Sequence, residues 1–152
     1  MGSPQVKLRV CWIGKTKEAA IQALTEEYVK RLARYIPTET LEVASESALL
    51  NQIKKSAGRT PGVLVLLDSG GRQMSSEEFA TFLQEHQNRG TQALWFAVGP
   101  ADGFSAQARA AAAFQISLGK MTLAHELARV VLLEQLYRAF TILTGHPYHR
   151  GH

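Results

Sequence analysis

The chain has very little cysteine, a single residue at position 11 among 152. One thiol cannot form a disulfide within the chain, and it cannot build a zinc site of several cysteines. Cys11 lies inside an apolar run, where a cysteine usually serves as a small core residue. The sequence therefore excludes a fold held by intrachain disulfides, and it favours a buried, unreactive thiol.

Long hydrophobic runs are also lacking, and no stretch approaches the roughly 20 apolar residues of a membrane-spanning helix. The first residues contain no basic segment followed by an apolar core and a cleavage site. With 45% hydrophobic residues over 152 positions, the chain can bury the core of one domain. We expect one cytoplasmic domain over residues 6–152 without membrane contact, and a frayed or appended end at residues 1–5.

Charge of one sign is only in small excess, since 17 Lys and Arg face 13 Asp and Glu, a net charge of +4. This excess suits a polyanionic partner without requiring one. The cations form either a nucleic-acid surface, which a dimer would double, or ordinary solvated helix faces. They concentrate early in the chain, at Lys7, Arg9, Lys15, Lys17, Lys30, Arg31, Arg34, Lys54, Lys55 and Arg59.

Apolar runs alternate with amphipathic stretches along the whole chain. This alternation predicts an α/β fold with a mainly parallel sheet. Continuous apolar runs such as Val63–Leu67 are typical of parallel strands covered on both faces. The predicted strands are Val6–Ile13, Thr40–Val43, Val63–Leu67, Ala93–Val98 and Phe114–Ser117. The predicted helices are Glu18–Ala33, Ser45–Ser56, one from Ser75 to the stop at Gly90, one from Ser105 to Ala113, and one from Thr122 to Leu143.

Two of these helices carry features that predict how they begin and pack. Ser75 and Glu78 have the spacing of a capping box. The first helix is predicted to be amphipathic, with apolar residues at helical spacing. Those residues are Ala19, Ala20, Ala23, Leu24, Tyr28 and Leu32.

The last helix is apolar around most of its circumference. Thr122 is predicted as its N-cap, and Gly145 and Pro147 end it. Its polar residues fall into two narrow stripes, one of Glu134, Arg138 and Thr141 and one of His125, Glu126 and Arg129. A helix of this kind buries more than one face. We therefore expect a second chain to pack against it.

Three loops with glycine follow the predicted strands, and none of them has the Rossmann or P-loop pattern. In parallel α/β sheets, ligands bind beyond the carboxyl ends of the strands. Backbone groups of neighbouring loops can recognise an adenine edge there. The loops are residues 68–71, 99–103 and 118–122.

The chain resembles the RlmH (YbeA-like) family of the SPOUT methyltransferase superfamily, which acts on bacterial large-subunit ribosomal RNA. The resemblance is carried by SLGKMTLAHELARVVLLEQLYRAFTILTGHPYHR, by VLVLLDSGGRQMSSEEFATFL and LWFAVGPADGFS, and by VKLRVCWIGKTKE. It implies a SPOUT-type fold with a C-terminal trefoil knot and a homodimer. It also implies transfer of methyl from S-adenosylmethionine to N3 of a pseudouridine in 23S rRNA of the ribosome.

The resemblance also assigns the cofactor site. Two departures, Pro100 in place of a second glycine and Gly119 where serine is common, affect the shape of the cofactor loop. Pro100 fixes φ and removes an amide donor. The cofactor contacts implied by the family are Leu67, Gly99, Leu118, Gly119, Lys120, Met121, Thr122 and Leu123.

Methyl transfer to an imide nitrogen needs alignment and a group that takes the N3 proton. The catalytic candidates are Glu134, Arg138, Tyr148, His149 and Arg150. Glu134 and Arg138 are equally explained as an ordinary i,i+4 helix pair. The last three candidates lie in the tail, the polar, histidine-rich segment after Leu143, and without the resemblance this tail would be interpreted as a disordered end. His146, His149 and His152 suggest zinc only weakly, since no carboxylate or cysteine completes the set, and no metal is predicted.

Two other functions are compatible with the sequence. One is methylation of transfer RNA or of another rRNA site by an enzyme of the same fold. The other is a non-catalytic dimer that binds RNA or assists ribosome assembly. Affinity for the cofactor separates these classes, because a non-catalytic relative has no need of it.

Overall fold

The structure, a computed structural model, describes residues 6–57, 62–100 and 102–150. In this part, five strands form one parallel sheet in the order β2-β1-β4-β3-β5. The strands are β1 (Lys7–Ile13), β2 (Thr38–Val43), β3 (Gly62–Gln73), β4 (Ala93–Val98) and β5 (Phe114–Ser117). The helices are α1 (Ala19–Leu32), α2 (Glu46–Ala57), α3 (Ser76–Asn88), α4 (Ala106–Ala111), α5 (His125–Thr144) and a 3-10 helix (Pro147–Arg150). The predicted parallel α/β architecture is confirmed, while the end predicted at residues 1–5 lies outside the described residues.

Helices cover both faces of the sheet, so the central strand β4 is buried along its whole length. Its side chains alternate between two cores. Leu94 and Phe96 belong to the core beneath α1, α3 and α5, and Trp95 and Ala97 to the core beneath α2 and α4. Cys11 lies fully buried in the second core, and burial raises the pKa of its thiol to about 12. It is a core residue, as predicted, and its thiol stays protonated and unreactive.

The helix starts that were predicted from serine are confirmed at two positions. Ser75 Oγ accepts a bond from the Glu78 amide at 3.0 Å, and Glu78 Oε1 accepts one from the Ser75 amide at 2.8 Å. Ser105 caps α4 by its side chain alone, since its Oγ accepts from the Ala108 amide at 3.4 Å. However, α4 ends at Ala111, two residues earlier than predicted. The reason is that the Ala113 amide already donates to a carbonyl of β3, that of Leu64, at 2.9 Å.

The predicted apolar face of α1 is confirmed at Tyr28 and Leu32 and is wrong for the first turns of the helix. Ala19, Ala20, Ala23 and Leu24 are exposed in the described chain. The helix packs against α5 through larger residues, with Leu32 fully buried and Tyr28 and Val29 packed beside it. Three of the four exposed residues are alanines, which contribute little apolar area to a packed face.

The start of α5 was also predicted wrongly, whereas its end is confirmed. The helix begins at His125 with Ala124 as its N-cap residue, and no side chain caps it. Thr122 precedes the helix in an irregular loop. At the other end, Gly145 has a φ of 76°, a left-handed conformation that glycine adopts without strain.

Both sides of α5 are covered within one chain, which removes the reason for expecting a second chain on this helix. It packs against α1 on one side and α3 on the other, with β4 beneath. Leu132, Leu133 and Leu136 have no exposed surface. A dimer therefore stays a prediction that the burial of α5 does not support.

Arg129, from the second polar stripe of α5, points inward and binds the end of β1. Arg129 has no exposed surface. Its Nη1 donates to Thr16 Oγ1 at 2.9 Å, and its Nη2 donates to the carbonyls of Ile13 at 3.1 Å and Gly14 at 3.3 Å. The guanidinium lies 5.2 Å from the ring centre of Trp12. Arg129 thus fixes the carboxyl end of β1.

Glu126, in the same stripe, contacts the segment that leads into α1. Its Oε1 accepts from the amides of Lys17 at 3.0 Å and Glu18 at 3.1 Å. These bonds, which lower the pKa of the Glu126 carboxyl, satisfy two amides just before α1 and fix the entry to the helix, whose N-cap residue Glu18 makes no side-chain cap. None of the described helices has the length and apolar character that crossing a bilayer requires.

Strand β3 is longer than predicted because it continues past an irregular segment and pairs with β5 a second time. Ile116 pairs with Leu67 before this segment and with Arg72 after it. Gly71 lies within the segment, where a Cβ would come within 2.7 Å of the backbone of Gln115 and Ile116. Only glycine fits this crossing without displacing β5.

Gly71→Ala should therefore destabilise the fold by about 1–3 kcal/mol, the usual cost of overpacking. Gly70→Ala is the matched control, because no atom lies within 4 Å of the corresponding Cβ position. Urea unfolding of both variants measures the difference. Equal stability of the two would contradict the close approach of β3 and β5.

Candidate functional site

A cleft of about 280 Å³ opens beyond the carboxyl ends of β3, β4 and β5. It lies where the sequence predicted a ligand site, at the meeting point of the three loops. Its lining comes from the end of β3, the loop after β4, Arg109 of α4, the loop after β5 and the first turn of α5. The lining residues are Leu67, Asp68, Ser69, Val98, Gly99, Pro100, Asp102, Gly103, Arg109, Ser117, Leu118, Gly119, Met121, Thr122, Leu123, His125 and Ala128.

Two glycines shape the cleft. Gly119 has a φ of +139°, a region of backbone space that is essentially restricted to glycine. The buried Ser117 hydroxyl holds this turn, since it donates to the Gly119 carbonyl at 2.9 Å and accepts from its amide at 3.1 Å. At Gly99, a Cβ would lie 3.0 Å from the ring of Phe104. Glycine therefore suits the local geometry at both positions, through close packing at Gly99 and through backbone conformation at Gly119.

Seven of the eight residues predicted to bind the cofactor line this cleft. The exception is Lys120, which belongs to the same loop but does not contribute to the lining. Met121 lies at the rim with 88% of its surface exposed. The seven are Leu67, Gly99, Leu118, Gly119, Met121, Thr122 and Leu123.

One ion pair lies in the lining of the cleft. Asp68, at the end of the apolar part of β3, lies 3.2 Å from Nε of Arg109 on α4. The Asp68 side chain is 15% exposed and that of Arg109 47%. The sequence placed Asp68 at a strand end but gave no indication of its partner, because α4 has no motif that fixes its position.

A second polar cluster joins the far part of α5 to the tail. Arg138 donates to Glu134 Oε2 through Nη2 at 2.6 Å and Nε at 3.1 Å, and the Tyr148 hydroxyl donates to the same oxygen at 3.0 Å. Gln135 donates to Oε1 at 3.1 Å. The pair is thus more than a surface i,i+4 contact, since Glu134 also accepts a hydrogen bond from Tyr148 of the tail. We call Glu134, Arg138 and Tyr148, together with Tyr28, the tail cluster.

Tyr28 completes the tail cluster from α1. Its hydroxyl lies 3.3 Å from that of Tyr148, and Arg138 stacks 5.1 Å from the Tyr148 ring centre. Burial and these hydrogen bonds raise the pKa of Tyr148 above its ordinary value. Tyr148 is therefore a neutral hydroxyl near pH 7. No sequence pattern links Tyr28 to the tail, so sequence reasoning missed it.

Glu134 is poorly suited to take a proton in this arrangement. Three bonds from Arg138 and Tyr148 converge on Oε2, and Gln135 takes one of the two acceptor positions on Oε1, so little acceptor capacity remains. The hydrogen bond from Arg138 to Glu134 raises the pKa of the Arg138 guanidinium, which therefore remains charged. Glu134 therefore holds Arg138 and Tyr148 in position.

The tail cluster and the cleft are separate in one chain. Ala128 lines the cleft, and Glu134 follows six residues later on α5. At 1.5 Å and 100° per residue, Glu134 lies about 9 Å further along the helix and about 120° round it. His149 and Arg150 belong to the 3-10 helix beside Tyr148, and their side chains lie outside the described residues.

Metal ligands do not gather in the described ranges. Within residues 6–57, 62–100 and 102–150, no group of three or more His, Cys, Asp or Glu side chains is placed to hold an ion. His152 and the side chain of His149 fall outside this search.

Known proteins are similar to this chain over nearly its whole length. A family model described as "Predicted SPOUT methyltransferase" matches residues 6–149. Ribosomal RNA large subunit methyltransferase H of Koribacter versatilis (strain Ellin345) is 62% identical over 147 residues, 97% of this chain and 100% of that protein. The protein of the same name from Citrifermentans bemidjiense is 43% identical over 152 residues, 95% of this chain and 99% of that protein.

Solved structures with a similar fold include the SpoU methyltransferase AviRb of Streptomyces viridochromogenes. Its complex with AdoMet has a TM-score of 0.51 at 15% identity, covering 91% of this chain and 58% of that chain. A second structure of the enzyme has a TM-score of 0.58 at 17% identity, covering 94% and 62%. The chain spans less than two thirds of AviRb, and this likeness concerns the fold. By the family match and the full-length identity, the chain belongs to the ribosomal RNA large subunit methyltransferase H family of SPOUT methyltransferases.

Proposed function

We propose that the protein transfers a methyl group from S-adenosylmethionine to N3 of a pseudouridine in 23S rRNA of the ribosome, in the cytoplasm. The observation that carries this proposal is the cleft, which brings seven of the eight cofactor residues implied by the family to one place. A relative of 62% identity over its full length is named as a large-subunit rRNA methyltransferase. The C-terminal trefoil knot belongs to the same proposal, on family grounds.

The cleft fits the proposed cofactor. Leu67, Val98 and Leu118 give it an apolar part suited to an adenine ring, and backbone groups of the loops can bind the ring edge. The φ of +139° at Gly119 turns the loop without a side chain in the way. The ion pair of Asp68 and Arg109 supplies charge at the same cleft. When bound, S-adenosylmethionine supplies an electrophilic methyl group on a sulfonium.

The protein's own groups have to orient the base and receive its proton. As the bond from N3 to the methyl carbon forms, the bond from sulfur to that carbon breaks. The electrons of the broken bond stay on sulfur, and the N3 proton leaves. The ring of Tyr148 can stack on a base, and Arg138 can contact phosphate or a base edge. Glu134 positions both. His149 is our candidate for the proton acceptor, because imidazole titrates near neutral pH.

A homodimer joins the two halves of this site. In one chain the tail cluster lies about 9 Å along α5 from the cleft, whereas reacting atoms must approach to about 3–3.5 Å. A second copy that brings its tail to the cleft of the first removes this gap. Two copies also double the basic surface available to rRNA.

The test is incorporation of labelled methyl from S-adenosylmethionine into large ribosomal subunits that lack the modification. We expect label in 23S rRNA, recovered at N3 of a pseudouridine after digestion and mass spectrometry. Free 23S rRNA and transfer RNA are assayed in parallel to define the substrate. Label in transfer RNA alone would replace our substrate. If the cofactor does not bind at all, the non-catalytic RNA-binding dimer becomes the better interpretation.

A further inference from the structure

The ion pair of Asp68 and Arg109 lies in the cleft but is not among the residues implied to bind the cofactor. Its atoms Oδ2 and Nε are 3.2 Å apart. An ion pair that is this exposed on its arginine side contributes little to stability, because water and salt screen it. Its position in the lining therefore invites a role toward a ligand.

Both groups have capacity left for such a ligand. Asp68 Oδ1 accepts one further bond, from the Gly70 amide at 3.3 Å, out of about four that a carboxylate accepts. A guanidinium has five N–H donors, and in the described part of the chain the side chain of Arg109 contacts only one carboxylate. The pair thus presents a free cation face and a free anion face beside each other.

We propose that Asp68 and Arg109 bind the amino-acid end of S-adenosylmethionine, with Arg109 on the α-carboxylate and Asp68 on the α-ammonium. This inference rests on the proposed function. The amino-acid end is a zwitterion, whose two charges lie on one carbon and match the two charges of the pair. Arginine suits a carboxylate because its planar fork donates two parallel bonds. The apolar lining from Leu67, Val98 and Leu118 is left for the adenosine.

Recognition of the amino-acid end makes the cleft selective among adenosine ligands that differ in that end. S-adenosylhomocysteine retains the complete amino-acid end, whereas 5′-methylthioadenosine has lost it. Decarboxylated S-adenosylmethionine has lost the carboxylate alone. The wild-type protein should therefore bind S-adenosylhomocysteine at least about tenfold more tightly than 5′-methylthioadenosine, since bonds between charged groups contribute this much or more.

The variants Arg109→Gln and Asp68→Asn test the assignment by titration calorimetry. Each should weaken binding of S-adenosylhomocysteine by about tenfold or more, while the affinity for 5′-methylthioadenosine changes less than about twofold. Arg89→Gln, an exposed arginine outside the cleft, is the matched control and should change neither affinity. Melting temperatures of the free proteins establish that the variants are folded.

Decarboxylated S-adenosylmethionine tests directly whether Arg109 binds the carboxylate. Binding of decarboxylated S-adenosylmethionine should be equally weak in the wild type and in Arg109→Gln, since the group that Arg109 recognises is missing from the ligand. If Arg109→Gln and Asp68→Asn weaken the binding of S-adenosylhomocysteine and 5′-methylthioadenosine equally, the pair only links β3 to α4, and the inference is overturned. Unchanged affinities in both variants would also overturn it. If a variant does not fold, the wild type still tests the inference, which is overturned if the wild type binds S-adenosylhomocysteine no more tightly than 5′-methylthioadenosine. A wild type that binds none of these ligands overturns the proposed function as well.

Discussion

Glu134→Ala should lower methyl transfer to the ribosome by about a hundredfold or more. The substitution removes the one carboxylate that binds both Arg138 and Tyr148, and misplacement of positioning groups by about 1 Å can cost this much. The affinity for S-adenosylhomocysteine should stay close to that of the wild type, because Glu134 does not line the cleft. Single-turnover rates with saturating cofactor measure the loss.

Glu134→Gln separates positioning from proton transfer. An amide oxygen still accepts from Arg138 and Tyr148, so a positioning role predicts that glutamine restores much of the rate at every pH. If Glu134 takes the N3 proton, glutamine will be as slow as alanine, and both deficits will shrink as pH rises and the imide ionises unaided. Glu26→Ala, on the exposed face of α1, is the control and should leave the rate unchanged.

Arg129→Ala should destabilise the fold by about 3–5 kcal/mol. The change leaves a cavity at a position with no exposed surface. It also removes the donors to the carbonyls of Ile13 and Gly14, and a buried polar group without a partner costs about 1–3 kcal/mol. The free energy of unfolding in urea, at an unchanged dependence on denaturant, measures the effect.

Arg129→Lys and Arg89→Ala are the controls for this prediction. Lysine keeps the charge but lacks the forked guanidinium that binds Thr16 and two carbonyls at once, so an intermediate loss of stability is expected. Arg89 is an exposed residue at the end of α3, and its replacement should change stability by less than about 0.5 kcal/mol. A loss below about 1 kcal/mol in Arg129→Ala would mean that other groups hold the end of β1.

The architecture and the location of the cleft could be predicted because each rests on a local pattern. Ala93–Val98 is continuously apolar, and the structure buries every one of its side chains. Parallel strands have their carboxyl ends at one edge, so three loops that follow strands had to meet there. The capping box of Ser75 is local in the same sense, because its two partners are three residues apart.

What the sequence could not predict depends on contacts between distant parts of the chain. Arg129 occupies a polar stripe of α5, and its inward direction follows only from the carbonyls at the end of β1. Tyr28 of α1 lies beside Tyr148 of the 3-10 helix, and Asp68 of β3 pairs with Arg109 of α4 in the lining of the cleft. The coverage of α5 was misjudged for the same reason, since the packing of α1 and α3 against it cannot be read from α5 itself.

The double pairing of β3 with β5 also affects how the protein behaves in a crowded solution. A strand at the edge of a sheet ordinarily presents unpaired backbone groups that another chain can extend, and this is a common route to aggregation. Here the edge strand β5 has four residues, and Ile116 and Ser117 pair with Arg72 and Gln73 in addition to the pairing of Ile116 with Leu67. Few backbone groups remain for a foreign strand, so the segment that shapes the cleft also closes this edge of the sheet to self-association.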